Sequence, residues 1–278
     1  MIEAFYNFKT LPFRKDIAGE NIFLSAAGKE MLQRLEYMKQ NRGIMLITGL
    51  PGIGKTLHIR AFSEKINTNL YKCLYLPLST VSTSEFYRQM ALALGAQGYW
   101  KKSQLFQSIQ KAIKQYVQNN QKVPIIIFDE AHLLKNENFY ELQIISNFNM
   151  DSLDPALFIL LGQPHLRDRL LSPIHQAFNQ RITLKFCLTP LARQETHDYI
   201  KHHLKLAGRN ESESESESES ESESQLIFNQ NAIDAIHRNS SGIPRIINAL
   251  ALKCLTLGAL EKKEVLTEED VYAAYKEL

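Results

Sequence analysis

The sequence predicts an α/β protein in which a parallel sheet carries helices on both faces and a small all-helical unit follows. Five short apolar stretches alternate with helical patterns over the first two thirds of the 278 residues. The central stretches are apolar throughout, as expected of strands covered on both faces. After about Leu191 only helical patterns remain. Alternating strands and helices indicate a layered α/β sheet.

The predicted strands lie at residues 44–48, 72–78, 123–130, 156–162 and 182–189. Helical spacing occurs between them at residues 56–66, 84–94, 103–118 and 138–148. The later helices are predicted at residues 192–208, 229–242, 244–260 and 267–278, and the stretch "TEED" is typical of a helix start. We therefore expect an α/β domain over residues 1–190 and a helical domain over residues 191–278.

Composition sets the class of protein. Hydrophobic residues make up 44% of the chain, which is enough for a substantial core. No signal peptide pattern is evident, and no apolar run approaches the roughly 18 residues of a membrane helix. The cysteines are far apart and form no CxxC pair, so we expect reduced core residues at Cys73, Cys187 and Cys254. These features predict a cytoplasmic protein without a membrane partner.

The formal net charge of +2 understates how basic most of the chain is. The run "ESESESESESESES" at residues 211–224 holds seven of the 30 acidic residues, and without it the net charge is +9. A basic surface permits nucleic-acid binding without establishing it. The run has no apolar residue, so we expect a disordered, extended loop within the helical domain.

A glycine-rich loop follows the first predicted strand. The stretch "GLPGIGKT" fits the pattern G-x-x-x-x-G-K-[ST], with a predicted helix directly after it. Such a loop turns backbone N–H groups inward and places a phosphate at the helix N-terminus. Lys55 would reach the β and γ phosphates, and Thr56 would supply a hydroxyl to Mg²⁺. A turn without a ligand is the alternative. The predicted ATP-binding residues are Gly49, Pro51, Gly52, Ile53, Gly54, Lys55, Thr56, Leu57 and Asp129.

An acidic pair ends the third predicted strand, in "IIIFDE". Asp129 is placed to hold Mg²⁺ together with Thr56, and Glu130 to polarise a water. His132 follows closely, but a single histidine near a strand end is more often structural, and we assign it no role. The loop and the acidic pair together predict Mg²⁺-dependent ATP hydrolysis.

At this point the sequence resembles the AAA+ ATPases. "GLPGIGKT" and "IIIFDEAH" are similar to that superfamily's Walker A and Walker B motifs. "SSGIPRIINAL" looks like its sensor-2 motif, which implies that Arg245 reaches the γ-phosphate from a helical lid. "FNQRITLKF" looks like the segment of the arginine finger, which implies Arg181, with Arg167 and Arg169 as competitors. Arg245 could instead be a surface residue at a helix start, and Arg181 could be a structural salt-bridge partner.

The sensor-1 position departs from the family pattern. The family usually has Asn, Thr or Ser there, whereas "LLGQP" offers Gln163. A glutamine amide can hydrogen-bond a water or the γ-phosphate, with a longer reach. An arginine finger acts on a neighbour's nucleotide, so the resemblance implies self-assembly into a ring or a helical filament.

A narrower resemblance is to the ExeA/GspA-like ATPases, through the stretches "FYNFKTLPFRKD", "FDEAHLL", "LLGQPHLRDRL" and "GIPRIIN". That group includes secretion-accessory proteins and short ATPases that accompany transposases, with a role like that of TnsC and MuB. The secretion proteins usually carry a membrane segment and a peptidoglycan-binding part, which this sequence lacks, so we expect the transposition branch. The implied function is ATP-dependent DNA binding that recruits a transposase or target-selection protein. A secretion-accessory ATPase and a scaffold with little turnover stay open.

The candidate contacts to duplex DNA lie in "GYWKKSQ". Lys101 and Lys102 stand beside Tyr99 and Trp100, and lysines next to aromatic residues suit a loop that follows a phosphate backbone. The alternative is a solvated loop with a half-buried tryptophan. No zinc-finger spacing or basic recognition helix is evident in the sequence.

Overall fold

The computed structural model describes residues 2–77, 82–119, 121–209 and 226–277, and it divides into two compact units. The α/β unit comprises Ala26–Pro51 and Lys55–Leu188. The helical unit comprises Met1–Ser25, Gly52–Gly54 and Thr189–Leu278. The Glu-Ser run, and Leu78 at the end of the second predicted strand, lie outside the described residues.

A five-stranded parallel sheet forms the centre of the α/β unit, in the order β2-β3-β4-β1-β5. Its strands are β1 (Gly43–Thr48), β2 (Tyr71–Pro77), β3 (Val123–Asp129), β4 (Leu157–Gly162) and β5 (Ile182–Cys187). The three inner strands are almost wholly buried, whereas the edge strands β2 and β5 alternate between buried and exposed residues. The predicted parallel sheet is therefore confirmed.

Twelve α-helices are present in the described part of the chain. They are α1 (Ile2–Tyr6), α2 (Ala26–Asn41), α3 (Lys55–Lys65), α4 (Thr83–Ala93), α5 (Lys102–Gln118), α6 (Asn136–Ile145), α7 (Pro164–Leu171), α8 (Gln176–Gln180), α9 (Arg193–Leu206), α10 (Gln230–Ser240), α11 (Pro244–Glu261) and α12 (Glu268–Lys276). None of the described helices is long and apolar enough to cross a membrane.

Helices cover both faces of the sheet. On one face, Leu46, Phe128 and Leu160 belong to a core that includes buried residues of α4 through α8. Successive side chains in a strand point to opposite faces, so Met45 and Ile159 face the other way, and they too are completely buried. The helices α2 and α3 contribute their own buried apolar residues. The inner strands are apolar throughout because both of their faces are covered.

The helical unit combines both ends of the chain. Its core joins Tyr6, Phe8 and Phe13 to buried residues of α9 through α12. The Tyr6 hydroxyl donates to the carbonyl of Lys263 at 3.0 Å, and Arg209 donates to the carbonyl of Tyr6 at 3.0 Å. The sequence placed residues 1–25 with the α/β domain. The structure groups them with the helical unit because their aromatic side chains are buried there.

Two local features bear on the sequence analysis. The helix start at Thr267 is confirmed, since Asp270 accepts from both the backbone N–H and the hydroxyl of Thr267, at 2.8 and 2.9 Å. The expectation that all three cysteines are core residues is wrong. Cys254 is buried, and burial raises the pKa of its thiol to about 12, but Cys187 is exposed and Cys73 is partly buried. Cys187 is exposed because its side chain points outward from an edge strand.

Candidate functional site

The glycine-rich loop connects β1 to α3, which begins at Lys55. Gly52 and Gly54 have positive φ values of 78° and 104°, a backbone conformation that glycine adopts without steric cost. A Cβ atom at Gly52 would also lie 2.6 Å from the Cβ of Arg245, within the helical unit. The loop thus delivers the chain to the N-terminus of α3, where backbone N–H groups without helical partners favour an anion.

Lys55 lies inside this loop. Its Nζ donates to the carbonyls of Gly49 at 2.8 Å and Leu50 at 3.1 Å, and the residue is buried, with 8% of its surface exposed. A buried ammonium needs anionic or hydrogen-bonding partners. Phosphate oxygens would offer this ammonium a full negative charge in place of neutral carbonyls. The side chain therefore suits a phosphate ligand.

Asp129 ends β3, and both of its oxygens accept hydrogen bonds. Oδ2 accepts from the Thr56 hydroxyl at 2.9 Å and from the Tyr75 hydroxyl at 2.6 Å, and Oδ1 accepts from the backbone N–H of Glu130 at 2.8 Å. Hydroxyl and carboxylate oxygens are the ligands that Mg²⁺ prefers. Thr56 and Asp129 are adjacent beside the glycine-rich loop, so this donor set fits the magnesium ion that accompanies a bound nucleotide.

Glu130 turns away from the strand. Its φ of 51° is in the left-handed region, and about half of its side chain is exposed. Its Oε2 lies 3.2 Å from Nδ1 of His132. Burial lowers the pKa of His132, so the ring is neutral near pH 7 and the contact is not an ion pair. The Glu130 carboxylate is thus accessible directly after the residue that suits the metal.

The next polar side chains at this edge of the sheet are on α7. Gln163 directly follows β4, which lies between β3 and β1, and it occupies the N-cap position of α7 without a capping bond from its side chain. Further along α7, Arg169 donates to the carbonyls of His132 at 3.0 Å and Leu134 at 2.6 Å. Its guanidinium thereby secures the segment that follows Glu130. Arg169 is directed inward, which leaves the exposed Arg167 as the α7 competitor to Arg181.

Arg181 lies near the N-terminal end of the strands, whereas the glycine-rich loop follows the C-terminal end of β1. Arg181 directly precedes β5, and Ile182 is paired with Ile44 at the start of β1. The six residues of β1 span about 20 Å, and this length separates Arg181 from the glycine-rich loop. Arg181 Nη1 donates to Asp151 Oδ1 at 2.5 Å. The structure therefore does not bring Arg181 to the site that contains Lys55, Thr56 and Asp129.

Arg245 belongs to the helical unit, as the second residue of α11. Its backbone N–H donates to the carbonyl of Gly52 at 3.2 Å, and its side chain runs beside that glycine. Both residues are grouped in the same unit. Arg245 is exposed, so its guanidinium is accessible next to the glycine-rich loop residue that it contacts.

The two lysines predicted to contact DNA differ. Lys101 is exposed, whereas Lys102 forms an ion pair with Glu141, which also accepts from the Tyr87 hydroxyl. The alternative of a half-buried tryptophan is wrong, because Trp100 is 90% exposed. It stands at the connection between α4 and α5, where little surrounds it apart from the guanidinium of Arg88, 5.6 Å from its ring centroid.

One side of α5 borders a groove of about 600 Å³. The lining includes hydrogen-bonding and basic side chains of α5, at Gln104, Gln107, Lys111 and Gln115. Residues 82–119 contain five basic residues and a single acidic one, Glu85. This part of the α/β unit is therefore strongly basic.

Comparison with known proteins identifies the class of fold. Residues 38–170 match the family model described as AAA domain. The chain is 26% identical over 281 residues to General secretion pathway protein A of Aeromonas hydrophila, which aligns with 99% of this chain. The alignment spans 48% of that relative, so the chain matches about half of its length.

Many solved structures share the fold, and three of them illustrate it. Cdc6p from Pyrobaculum aerophilum has a TM-score of 0.64 at 13% identity, over 95% of this chain and 70% of that chain. Drosophila ORC bound to DNA has a TM-score of 0.64 at 15% identity, over 94% and 63%. The RuvB Holliday junction branch migration motor of Thermotoga maritima has a TM-score of 0.55 at 18% identity, over 96% and 73%. The five-stranded parallel sheet with helices on both faces matches the AAA+ P-loop NTPase fold of these structures.

Proposed function

We propose that the protein is a Mg²⁺-dependent ATPase that binds duplex DNA and regulates DNA transposition by recruiting a transposase or target-selection protein. The observation that carries the ATPase is the arrangement of Lys55, Thr56 and Asp129 around the start of α3. An ammonium, a hydroxyl and a carboxylate meet there at the N-terminus of a helix. This is the set of groups that a nucleoside triphosphate and its metal ion require.

Each residue of the candidate site has its own role in the proposed hydrolysis. Lys55 would exchange its loop carbonyls for the β and γ phosphates, and Thr56 and Asp129 would hold a Mg²⁺ ion, which supplies neutralisation of phosphate charge when bound. Glu130 accepts the proton of the attacking water, for which its exposed carboxylate is suited. The amide of Gln163 and the guanidinium of Arg245 bind the γ-phosphate oxygens.

Arg181 completes the site of a second copy. Its position about 20 Å from the glycine-rich loop of its own α/β unit excludes action on that unit's nucleotide. The nucleotide on which Arg181 acts in this proposal therefore belongs to a neighbouring subunit. A ring or a helical filament of identical chains would supply that neighbour.

The candidate DNA surface is the basic segment between β2 and β3, residues 82–119. Lys101, Arg88 and Lys111 supply positive charge, the exposed Trp100 supplies a flat apolar face, and acidic residues are almost absent. Phosphate contacts of this kind dominate DNA affinity and make it depend on salt. Lys102 contributes less than Lys101, because it is already paired with Glu141. Two of the similar folds belong to ORC bound to DNA and to a Holliday junction motor.

A secretion-accessory ATPase is the second candidate. It is favoured by the relative named General secretion pathway protein A, which aligns with 99% of this chain. In that case the AAA domain would serve a larger assembly and would not need to bind DNA. A nucleotide-dependent scaffold would bind ATP without measurable turnover.

The ATPase is tested with Lys55→Ala and Glu130→Gln, using Lys65→Ala at the far end of α3 as the control. We expect Lys55→Ala to lose binding of a fluorescent ATP analogue. Glu130→Gln should bind it normally and release phosphate about 100-fold more slowly, or slower still. The control should match the wild type in both assays. Normal nucleotide affinity in Lys55→Ala would contradict the site, and a wild type that binds ATP without turnover would indicate a scaffold.

DNA binding is tested by fluorescence anisotropy with a duplex at several salt concentrations. Lys101→Gln with Lys111→Gln should weaken binding and reduce the salt slope by about 1.8, because each phosphate that is no longer neutralised lowers the slope by about 0.9. Lys29→Gln with Lys201→Gln removes the same charge from exposed positions elsewhere and should change the slope little. No salt-dependent binding by the wild type, with or without ATP, would favour the secretion-accessory ATPase.

A further inference from the structure

The side chain of Tyr75 reaches the candidate magnesium site from a neighbouring strand. Tyr75 lies on β2 and is paired with Ile127, two residues before Asp129 on β3. A side chain as long as tyrosine can reach the diagonal neighbour on the adjacent strand. The Tyr75 hydroxyl donates to Asp129 Oδ2 at 2.6 Å. Half of the residue's surface is exposed, in contrast to the buried Leu74 and Leu76 beside it, so apolar burial does not explain the position of the ring.

The hydroxyl completes the set of donors around Asp129. Oδ2 accepts from Thr56 and Tyr75, while Oδ1 is held by the backbone N–H of Glu130. A metal ion would bind a lone pair of the Thr56 oxygen, and the Thr56 hydroxyl can still donate its proton to Asp129. The bond from Tyr75 comes from β2 and gives Oδ2 a second donor on a separate element. Groups that orient a metal-binding carboxylate typically affect metal affinity by about 10-fold to 100-fold.

We propose that Tyr75 is a positioning residue that keeps the Asp129 carboxylate facing Thr56, so that the two oxygens are aligned before Mg²⁺ arrives with the nucleotide. The proposal rests on the proposed function, in which Thr56 and Asp129 hold the ion. It concerns the metal-dependent part of nucleotide affinity. In this proposal Tyr75 acts through Asp129 and is neither a metal ligand nor a phosphate contact.

The test measures nucleotide affinity against Mg²⁺ concentration, with a fluorescent ATP analogue and with EDTA as the metal-free reference. Tyr75→Phe should raise the half-saturating Mg²⁺ concentration by about tenfold and leave the metal-free affinity unchanged. The matched control is Tyr140→Phe, since Tyr140 is also partly exposed in the α/β unit and its hydroxyl donates to the carbonyl of Ile174 at 3.0 Å. The control should show the wild-type Mg²⁺ dependence.

The outcomes separate this proposal from the one on which it rests. A wild type without Mg²⁺-dependent binding would overturn the metal site itself, and Tyr75 with it. A normal wild type with an unchanged half-saturation in Tyr75→Phe would overturn the role of Tyr75 alone. A lower half-saturation in the variant would also overturn it, because the hydroxyl would then compete with the metal. Circular dichroism checks that both variants are folded.

Discussion

Arg181 Nη1 donates to Asp151 Oδ1 at 2.5 Å, which ties the residue before β5 to the loop before β4. That loop is unusual, because Asn149, Met150 and Asp151 all have positive φ values, of 47°, 54° and 68°. A left-handed conformation costs a non-glycine residue about 1–2 kcal/mol. The guanidinium has an anionic partner within its own subunit, with which a neighbour's phosphates would compete in the proposed assembly.

We expect Asp151→Asn to raise the ATPase rate by about threefold at a protein concentration that permits assembly, because the freed guanidinium meets less competition. The pair is partly exposed, so the change in the free energy of unfolding should stay below about 1 kcal/mol. Phosphate release and urea denaturation give the two quantities. The control is Asp168→Asn on the exposed side of α7, which should leave the rate unchanged. A slower Asp151→Asn enzyme would mean that Asp151 positions Arg181 productively.

Arg181→Ala should bind ATP almost normally and hydrolyse it at least about 10³-fold more slowly, which is typical of a missing arginine finger. Mixing it with Lys55→Ala protein should partly restore phosphate release. Mixed interfaces combine the intact loop of the first variant with the intact arginine of the second. Failure to restore activity, once co-assembly is confirmed by light scattering, would remove the role from Arg181. Arg167 would then be tested in the same way.

Gly242→Ala should destabilise the helical unit far more than Gly95→Ala destabilises the α/β unit. Both glycines have positive φ, 71° and 64°. A Cβ atom at Gly242 would lie 2.1 Å from the carbonyl oxygen of Leu191, whereas a Cβ atom at Gly95 would meet no other heavy atom within 4 Å. Gly95→Ala should cost about 1 kcal/mol and Gly242→Ala about 3–4 kcal/mol. Urea denaturation followed by circular dichroism measures both, and equal costs would contradict the crowding at Gly242.

The stability of the helical unit should fall with acid through His203. Burial, with a smaller effect of His202, lowers the pKa of His203 from 6.5 to about 3. The unfolded chain takes up the proton first, so the stability is complete above pH 6.5 and is lost as the pH falls toward 3. The free energy of unfolding should drop by about 1.2 kcal/mol between pH 6 and pH 5.

His203→Phe keeps a ring against Phe13, on which His203 stacks at 5.2 Å, and should remove that slope. His165→Phe, which changes an exposed ring in the α/β unit, should retain it. Urea denaturation at pH 7, 6 and 5 measures the slopes. An unchanged slope in His203→Phe would show that another group takes up the proton.

The sheet could be predicted from the sequence because its inner strands are apolar on both faces, and the loop because its glycines, Lys55 and Thr56 occur in a fixed order. Contacts that depend on strand register or on distant residues could not be predicted. Tyr75 meets Asp129 only through the pairing of β2 with β3, and Asp151 meets Arg181 across 30 residues. The sequence predicts that Lys102 is available to DNA, whereas in the structure Lys102 is paired with Glu141. This pairing could not be predicted because Glu141 lies 39 residues further along the chain.

The hydrogen bond from Tyr6 to Lys263 joins residues that are 257 positions apart. During synthesis, the aromatic residues at the start of the chain therefore emerge long before the helices that bury them. The α/β unit between them is built almost entirely from residues 26–188 and can fold earlier. Closing the helical unit over so long a separation is slow when the intervening chain is unfolded. We therefore expect the sheet to form first on the ribosome, with the N-terminal segment exposed to chaperones until the last helix emerges.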